Sequence, residues 1–506
     1  MKKIIKLTLF AAIVGLTTSC SEDILRNDGV SGLSQPTQQI TTVQLADGST
    51  TNPAIPAAFV NGIYAQMITV GSGGSDSQVD FGQKAYDIFG DMLSGDMALT
   101  NSDYRWYNRI AQLQSTNDFT FGENRMIWRY YYRIIRSANT VIQSLGGNDF
   151  IPDSQENKFS MGQAKALRAY GYFYLTQYYQ KEYVGTEMIL PLYVEPSSGN
   201  LPKSSAEDIY NLMEQDLTES MALLNGFNRI AKSEINQDIA KALYAYVLGA
   251  RGGNDGKIAT LTQQVINSGN YTMLASSEVV AGTGGVNCFD DVNSNSWMWG
   301  IDIVPTNGLG LVSWWGQIDA WSYSYGWAGD YKAIDLDLYN AIPANDIRKG
   351  QFFGNAASGR YLQPLYKFRA SDAIGSAPRP ITSDYVYMRI EEMYLLNAEA
   401  NANAGNDAAA RTSLKALMAR RLPDASYVDG LSGQALKNEI YLQTRIELWG
   451  EGKSFLAMKR NKATVTRGAN HIFFAGNSYS YNDESLQFEI PLDEIQNNPF
   501  LSEQNQ

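Results

Sequence analysis

The chain has 506 residues, enough for several ordinary domains or for one large repeat assembly. Its 40 Lys and Arg against 52 Asp and Glu give a formal net charge of −12, which argues against a nucleic-acid ligand because phosphates are neutralised by basic side chains. One histidine, His471, and two cysteines are too few for a disulfide framework or a histidine-based metal centre, so we predict neither a metal nor a cofactor.

The first 19 residues have the features of an export signal. A lysine-rich start is followed by a short apolar run that reaches Leu16, and small residues then precede Cys20. This arrangement resembles a bacterial lipobox, which predicts a lipoprotein signal peptide over residues 1–19 and acylation of Cys20. Glu22 and Asp23 resemble an acidic tag for export to the cell surface, with a plain solvated linker as the alternative.

Residues 20–52 are polar, and we predict a flexible tether there. Helical periodicity dominates from about residue 53, apart from one long interruption, and predicts a mostly α fold. Ser205, with Asp208 three residues later, is a predicted helix start. The predicted helical segments are 57–68, 126–145, 160–180, 205–224, 235–251, 385–405 and 434–460.

A weak internal repeat links two of these helical regions. Gly253-Asn254-Asp255 and Gly405-Asn406-Asp407 each stand between a helix rich in small residues and a second helix. The pattern is typical of tetratricopeptide helical hairpins, which bury their apolar faces by stacking on neighbouring hairpins.

Residues 271–380 interrupt the helical pattern. Gly, Asn, Ser and aromatic residues are frequent there, and residues 296–304 alternate like a short strand. We predict a loop-rich insertion, and insertions on a repeat scaffold often carry function.

Several apparent motifs fail on inspection. EGKSF (451–455) lacks the first glycine of a phosphate-binding loop, since position 448 is Leu. Residues 291–302 have calcium-loop spacing, but Ser296 stands where the sharp turn needs glycine, which favours an ordinary turn. Scattered acids leave open a glycosidase carboxylate pair, which spacing alone does not locate.

The strongest signal is aromatic, because six of the nine tryptophans lie between positions 297 and 327. Trp297 and Trp299 share one strand face and are predicted to be core. The other rings stand among Gly and Ser, and flat rings match the apolar faces of sugars. For each single ring the alternative is a place in the core. The predicted ligand-binding residues are the rings Trp106, Tyr107, Trp314, Trp315, Trp321, Tyr323, Tyr325 and Trp327, with polar neighbours Asp80, Asn108, Arg109 and Asp319.

Seven segments, in this order and spacing behind Cys20, resemble the SusD/RagB family of outer-membrane lipoproteins. They are FGQKAYDIFGDMLSGDM (81–97), WRYYYRIIRSANTVI (128–142), AKALRAYGYFYLTQYY (164–179), LPLYVEP (190–196), YMRIEEMYLLNAEA (387–400), TRIELWGEGKSFLAMKR (444–460) and IPLDEIQNNPFLSEQN (490–505).

The resemblance implies one domain over residues 53–506, with about four tetratricopeptide-like units in a scaffold of residues 53–270 and 381–506 and a ligand site on the 271–380 insertion. It implies no catalysis, a lipid-anchored place on the outer membrane, and a SusC-like TonB-dependent transporter that receives oligosaccharide. Peptide capture is the alternative within the family, and a surface glycoside hydrolase is the alternative outside it. The acidic net charge disfavours polyanionic glycans.

Overall fold

The computed structural model describes residues 42–282, 289–375 and 377–505, and paired helices make up most of them. The predicted signal peptide, Cys20 and the tether up to residue 41 lie outside the described residues. The helices are α1 (Thr42–Thr51), α2 (Ala54–Gln66), α3 (Gln83–Leu93), α4 (Asn108–Ala111), α5 (Gln114–Asn117), α6 (Gly122–Ser144), α7 (Gln155–Tyr179), α8 (Ala206–Leu223), α9 (Gln237–Arg251), α10 (Asp255–Asn267), α11 (Trp314–Ile318), α12 (Tyr325–Ala328), α13 (Leu336–Ala341), α14 (Ile390–Asn403), α15 (Asp407–Met418), α16 (Gly433–Glu447), α17 (Ser454–Arg460) and α18 (Leu492–Asn497).

Short strands form antiparallel pairs beside the helices: β1 with β5, β2 with β3, β4 with β6, and β7 with β8. The strands are β1 (Met97–Leu99), β2 (Met188–Pro191), β3 (Lys203–Ser205), β4 (Trp297–Ile301), β5 (Lys332–Ile334), β6 (Tyr385–Arg389), β7 (Thr464–Thr466) and β8 (Ser478–Ser480).

The scaffold is a chain of stacked helix pairs. Each helix from α6 to α9 packs on the helix that follows it in the chain. Helix α10 packs on α14, and α14 also contacts α15 and α16. The 271–380 segment therefore leaves the stack after α10 and returns before α14 without interrupting it. None of the described helices is long and apolar enough to cross a bilayer.

The Gly-Asn-Asp repeat marks equivalent turns, as the sequence predicts. Gly252 (φ 82°) ends α9, and Asn254 precedes α10; Gly405 (φ 80°) follows α14, and Asn406 precedes α15. Positive φ favours glycine because a Cβ would meet the carbonyl oxygen. The predicted cap at Ser205 is also present, since its side chain accepts a hydrogen bond from the Asp208 amide.

The predicted helix over 434–460 is in fact two helices, α16 and α17. Gly450 (φ 77°) and Gly452 (φ 74°) form the turn between them. A Cβ at Gly452 would lie 2.4 Å from the Asp87 carboxyl group, so the close approach requires glycine. The Asp91 carboxylate accepts bonds from the Gly452 and Ser454 amides, which fixes the start of α17.

The predicted tether ends earlier than its composition indicates, because Thr42–Thr51 form α1. Leu45 and Ser49 are buried, and α1 contacts α2 and α6. One buried leucine on a polar helix gave little periodic signal in the sequence.

Trp297 and Trp299 in β4 are 0% and 1% exposed, which confirms their predicted place in the core. That core extends from α2 through the stacked helices to β4, β6 and α17, and a smaller apolar cluster lies between α14, α15 and α16. The segment with calcium-loop spacing forms a turn, in which Asp291 accepts a bond from the Asn293 amide.

Candidate functional site

Aromatic side chains from two distant stretches meet on the surface. Tyr325 in α12 lies 5.2 Å from Tyr104 and 5.8 Å from Trp106, and Tyr323 lies 5.9 Å from Trp327, measured between ring centroids. Tyr104 and Tyr323 are 43% and 41% exposed, and the other three are half-buried. We call these five rings the aromatic patch.

The β1–β5 ribbon brings the two stretches together. Its hydrogen-bond ladder continues past the strands, from the Thr100 amide to the Tyr331 carbonyl and from the Tyr331 amide to the Asn101 carbonyl, both 2.9 Å. The Tyr104 amide then donates to the Asp330 carboxylate at 2.8 Å. Residues 101–107 are thereby held beside α12.

Asp319 organises the loop that leads into α12. One of its carboxylate oxygens accepts from the Trp321 amide (2.8 Å), and the other pairs with Arg379 (3.3 Å). Asp319 is 1% exposed, so the prediction that it bonds ligand hydroxyls is wrong. Ser324 caps α12 by accepting from the Trp327 amide at 2.9 Å.

A chain of side-chain hydrogen bonds behind the patch holds Tyr325 in place. The Tyr325 hydroxyl donates to the Gln78 side chain (2.8 Å), and the Gln317 side chain donates to the Gln78 carbonyl (3.2 Å). Lys332 donates to Gln317 at 2.9 Å and lies 4.6 Å from the centroid of the Tyr107 ring. Burial lowers the pKa of Lys332 to about 7, against the opposing effect of Asp330.

Three predicted stacking rings are core residues instead. Tyr107, Trp314 and Trp315 are 1%, 3% and 0% exposed. Trp314 packs edge-on against Phe368 (4.6 Å between centroids). Both tryptophans are buried because all residues of α11 lie in the interior, and Tyr107 is buried against Phe89 (5.9 Å between centroids). Neighbours in sequence need not share a surface.

Asp80 also fails as a predicted ligand contact. It is fully buried, and its carboxylate accepts from the Gly73 amide (2.9 Å), the Ser75 amide (3.1 Å) and the Ser75 hydroxyl (2.8 Å). Burial raises its pKa, and these bonds oppose the rise. Asp80 therefore closes the 71–80 loop that carries Gln78.

Asn108 and Arg109 stand at the start of α4, next to the patch in sequence. The Asn108 side chain accepts from the Ser102 hydroxyl at 2.5 Å and is half-buried. Arg109 turns toward α6, where it lies 4.6 Å from the Phe121 ring and 3.6 Å from the Glu123 carboxylate. The structure shows no contact between Arg109 and the five rings.

Trp321 is half-buried at the edge of the patch and is held on several sides. Its Nε1–H donates to the Leu365 carbonyl at 2.7 Å, and its ring lies 5.9 Å from that of Tyr366. The guanidinium of Arg369 lies 4.1 Å from the centroid of the Trp321 ring. The Arg369 guanidinium therefore covers part of the Trp321 ring face that we predicted to stack on a sugar.

The sequence did not single out Tyr104, Gln78, Arg105 or Arg369. Tyr104 stands two residues before Trp106, and this spacing was an available signal. Arg105 has a left-handed backbone conformation (φ 65°), which no pattern in the sequence predicts for an arginine. Gln78 and Arg369 reach the site from loops far away in the chain, so pattern alone could not connect them.

Among the described residues there is no group of three or more His, Cys, Asp or Glu arranged to hold a metal ion. His471 is buried, with Nε2 3.2 Å from both the Asp335 carboxylate and the Gly95 carbonyl. What the patch presents to a ligand is ring faces and hydrogen-bonding side chains.

Comparison with known families gives two matches. A sequence model described as the SusD family matches residues 352–506, and one described as starch-binding, associating with outer membrane, matches residues 66–247. This chain belongs to the SusD family. All seven segments that carried the predicted resemblance fall inside the two matched regions, whereas Tyr323, Tyr325 and Trp327 of the patch lie between them.

Solved SusD-type structures share the fold. A SusD-like carbohydrate binding protein from Bacteroides vulgatus superposes with a TM-score of 0.74 at 22% identity, covering 89% of this chain and 97% of that one. For a SusD superfamily protein from Bacteroides thetaiotaomicron the values are 0.71, 21%, 90% and 100%. For surface glycan-binding protein A from Bacteroides uniformis they are 0.65, 18%, 90% and 99%.

At these identities the likeness establishes the fold, and it confirms the prediction of a mostly α, tetratricopeptide-like scaffold. A comparison with curated proteins gave no match.

Proposed function

We propose that this SusD-family protein is a cell-surface lipoprotein that captures oligosaccharide or polysaccharide on the aromatic patch and passes it, unchanged, to a SusC-like TonB-dependent transporter. The observation that carries the proposal is the patch itself: five rings from two distant segments lie together at the surface, and Tyr325 is held by a hydrogen bond to Gln78. Rings offer flat apolar faces to the C–H faces of sugars, and the tyrosine hydroxyls can bond the rim.

Binding without catalysis is supported by the carboxylates beside the patch. A glycosidase needs two carboxyl groups flanking the scissile bond. Asp319 and Asp330 are each 1% exposed, and both accept bonds from backbone amides of the site loops, which leaves Asp103 as the exposed carboxylate of the 101–107 segment. Their contacts are structural, and a bound sugar would not reach them without rearrangement of those loops.

The anchor and the partner rest on other grounds. Cys20 and the export signal support lipidation, and membership of the SusD family, one of whose models is described as associating with outer membrane, supports the location and the transporter. Peptide capture is the second candidate within this function, because rings and tyrosine hydroxyls also bind peptides.

The test pairs a glycan screen with calorimetric titration of Tyr323→Ala and Trp327→Ala. We expect each variant to lose roughly 2–12-fold in affinity for the best glycan, as loss of one stacking ring implies, with little change in melting temperature. Tyr427→Ala is the matched control, since Tyr427 is 40% exposed in another part of the chain and bonds Glu439.

Three outcomes would contradict the proposal or part of it. Equal affinity of the patch variants and wild type would exclude the patch as the site. New reducing ends during incubation would mean hydrolysis. Retention of casein peptides but of no glycan, abolished by Trp327→Ala, would favour peptide capture.

A further inference from the structure

Arg369 lies at the edge of the patch, between the Trp321 ring and Gly282. Its guanidinium lies 4.1 Å from the centroid of the Trp321 ring. On another side, a Cβ at Gly282 would lie 2.3 Å from Arg369 Nη1, so the glycine makes room for the arginine. No ion pair of Arg369 occurs within residues 42–282, 289–375 and 377–505, and positions 283–288 and 376 contain no Asp or Glu.

Arg360 reaches the same loop from another direction. Its Nη1 donates to the Ala320 carbonyl at 2.7 Å, which leaves other N–H donors of the guanidinium free for a ligand. It too forms no ion pair in the described part of the chain. Arg379 differs, since Asp319 (3.3 Å) and Asp372 (2.9 Å) already neutralise it.

Arg105 borders the patch on the opposite loop. It is exposed and stands between Tyr104 and Trp106, both of which contact Tyr325. Its φ of 65° is a conformation that costs a non-glycine residue free energy, and such residues are enriched at ligand sites. No salt bridge to Arg105 is formed by the described carboxylates.

Two of these guanidinium groups approach adjacent residues of one loop, and the third is carried by the segment whose rings contact Tyr325. Trp321 and Tyr323 are two residues apart, so their Cα atoms are separated by at most about 7 Å. Arg360 and Arg369 bind the loop at residues 320 and 321, and Arg105 adjoins Trp106. Asp103 is the exposed carboxylate in the 101–107 segment, and its side chain accepts from Asn101. The border of the patch thus holds more unpaired positive than negative charge, in a chain whose net charge is −12.

We propose that the glycan recognised by the aromatic patch is acidic, with carboxylate or sulfate groups that pair with Arg369, Arg360 and Arg105 while its sugar rings stack on the patch. This inference rests on the proposed glycan-binding function. A guanidinium matches the two oxygens of a carboxylate or sulfate with parallel hydrogen bonds, and a planar group on a tryptophan is held ready for such a pair. The expectation from net charge that polyanionic glycans are disfavoured does not apply at this border.

The experiment compares matched glycan pairs that differ only in charge. One pair is oligogalacturonate and its methyl ester; the other is a kappa-carrageenan oligosaccharide, a sulfated galactan without uronate, and its neutral desulfated form. We expect the acidic member of one pair to bind at least about tenfold more tightly, as bonds to charged groups imply, and to weaken as salt rises. Which pair responds distinguishes uronate carboxylate from sulfate as the recognised group.

Arg369→Gln and Arg360→Gln should each remove most of the preference for the acidic member and leave the affinity for the neutral member within about twofold. Arg136→Gln is the control, because Arg136 is an exposed arginine on α6 that forms no ion pair with described residues. Thermal melts verify that each variant is folded.

Two results would overturn the inference, and they are distinguishable. A neutral glycan that binds in a Trp327-dependent manner, with no preference for acidic partners and no effect of the arginine variants, leaves the proposed function standing and rejects the acidic ligand. Failure of every glycan, neutral and acidic, to bind rejects the proposed function and the inference together.

Discussion

Tryptophan side chains in the 314–327 segment differ in burial, and therefore in their contribution to stability. Trp315 is 0% exposed, and its Nε1–H donates to the Asp384 carbonyl at 3.3 Å. Trp327 is only half-buried. Trp315→Ala should therefore lower the free energy of unfolding by about 3–5 kcal/mol. Trp327→Ala should lower it by less than about 1 kcal/mol. Urea unfolding measures both, and equal losses would mean that the two rings are equally buried.

Lys332 predicts a pH dependence below the patch. Its pKa is lowered to about 7 in the folded protein, against about 10.4 in an unfolded chain. Below pH 7 the residue is charged in both states and contributes no pH dependence. Between pH 7 and 10 the unfolded chain holds the extra proton, so the contribution of Lys332 to stability rises with pH by up to about 1.4 kcal/mol per unit.

The comparison with Lys332→Met isolates this effect. Urea unfolding of both proteins at pH 7 and pH 9 should show wild type gaining stability relative to the variant. Stability curves that stay parallel over this range would show that Lys332 does not titrate there.

At this scale the sequence predicted a group of surface rings in residues 314–327, but it could not show which of the named rings are exposed. The excess of tryptophan was visible, yet burial of Trp314 and exposure of Tyr323 depend on how α11 packs. Asp80 and Asp319 failed for the same reason: a carboxylate near rings in sequence can equally well accept bonds from its own loop. Local pattern does not determine which side of a loop faces solvent.

Between elements, a buried ion-pair network attaches the 271–380 insertion to the helical scaffold. Glu447 at the end of α16 accepts from Arg348, from Arg389 in β6 and from Arg421 after α15, at 2.8–3.2 Å. Arg348 and the nearby Lys367, which pairs with Glu451 at 2.8 Å, belong to the insertion. The three arginines hold the pKa of Glu447 well below its usual range despite burial.

Removal of the central charge should therefore be costly. Glu447→Gln leaves buried guanidinium groups short of a counter-charge, and we expect a loss of about 3–5 kcal/mol in unfolding free energy. Asp429→Asn is the control: its pair with Lys415 is 59% and 42% exposed, and such pairs contribute about 1 kcal/mol or less. Denaturant melts that rank the two variants equally would contradict this role for Glu447.

Helices were the most predictable elements, because amphipathic stretches such as α6 and the α9–α10 pair have strong periodicity. Three boundaries were missed. The glycine turn at Gly450 and Gly452 lies within a helix-like pattern, β6 begins a segment that otherwise looks helical, and α1 has too few apolar residues to show. In each case a tertiary contact overrides the local preference.

For the whole molecule, the proposed anchor makes a direct prediction. Cys20→Ala should release the protein from the membrane fraction and leave its melting temperature unchanged, because the acyl chains on Cys20 are the proposed anchor. Fractionation of cells that express each form, followed by immunoblotting of washed outer membranes, measures it. Retention of the variant in those membranes would argue against lipidation at Cys20.

The β1–β5 ribbon has a consequence for the order in which the protein becomes competent to bind. Met97 pairs with Ile334, so the ribbon closes a loop on the order of 200 residues, and contacts of such separation form late in folding. Helices α6 to α10 pack on helices adjacent to them in the chain, and these local pairs can form first. During refolding, far-ultraviolet circular dichroism should therefore recover before glycan binding does, and a refolding chain would carry the α6–α10 helices well before it carries a working site.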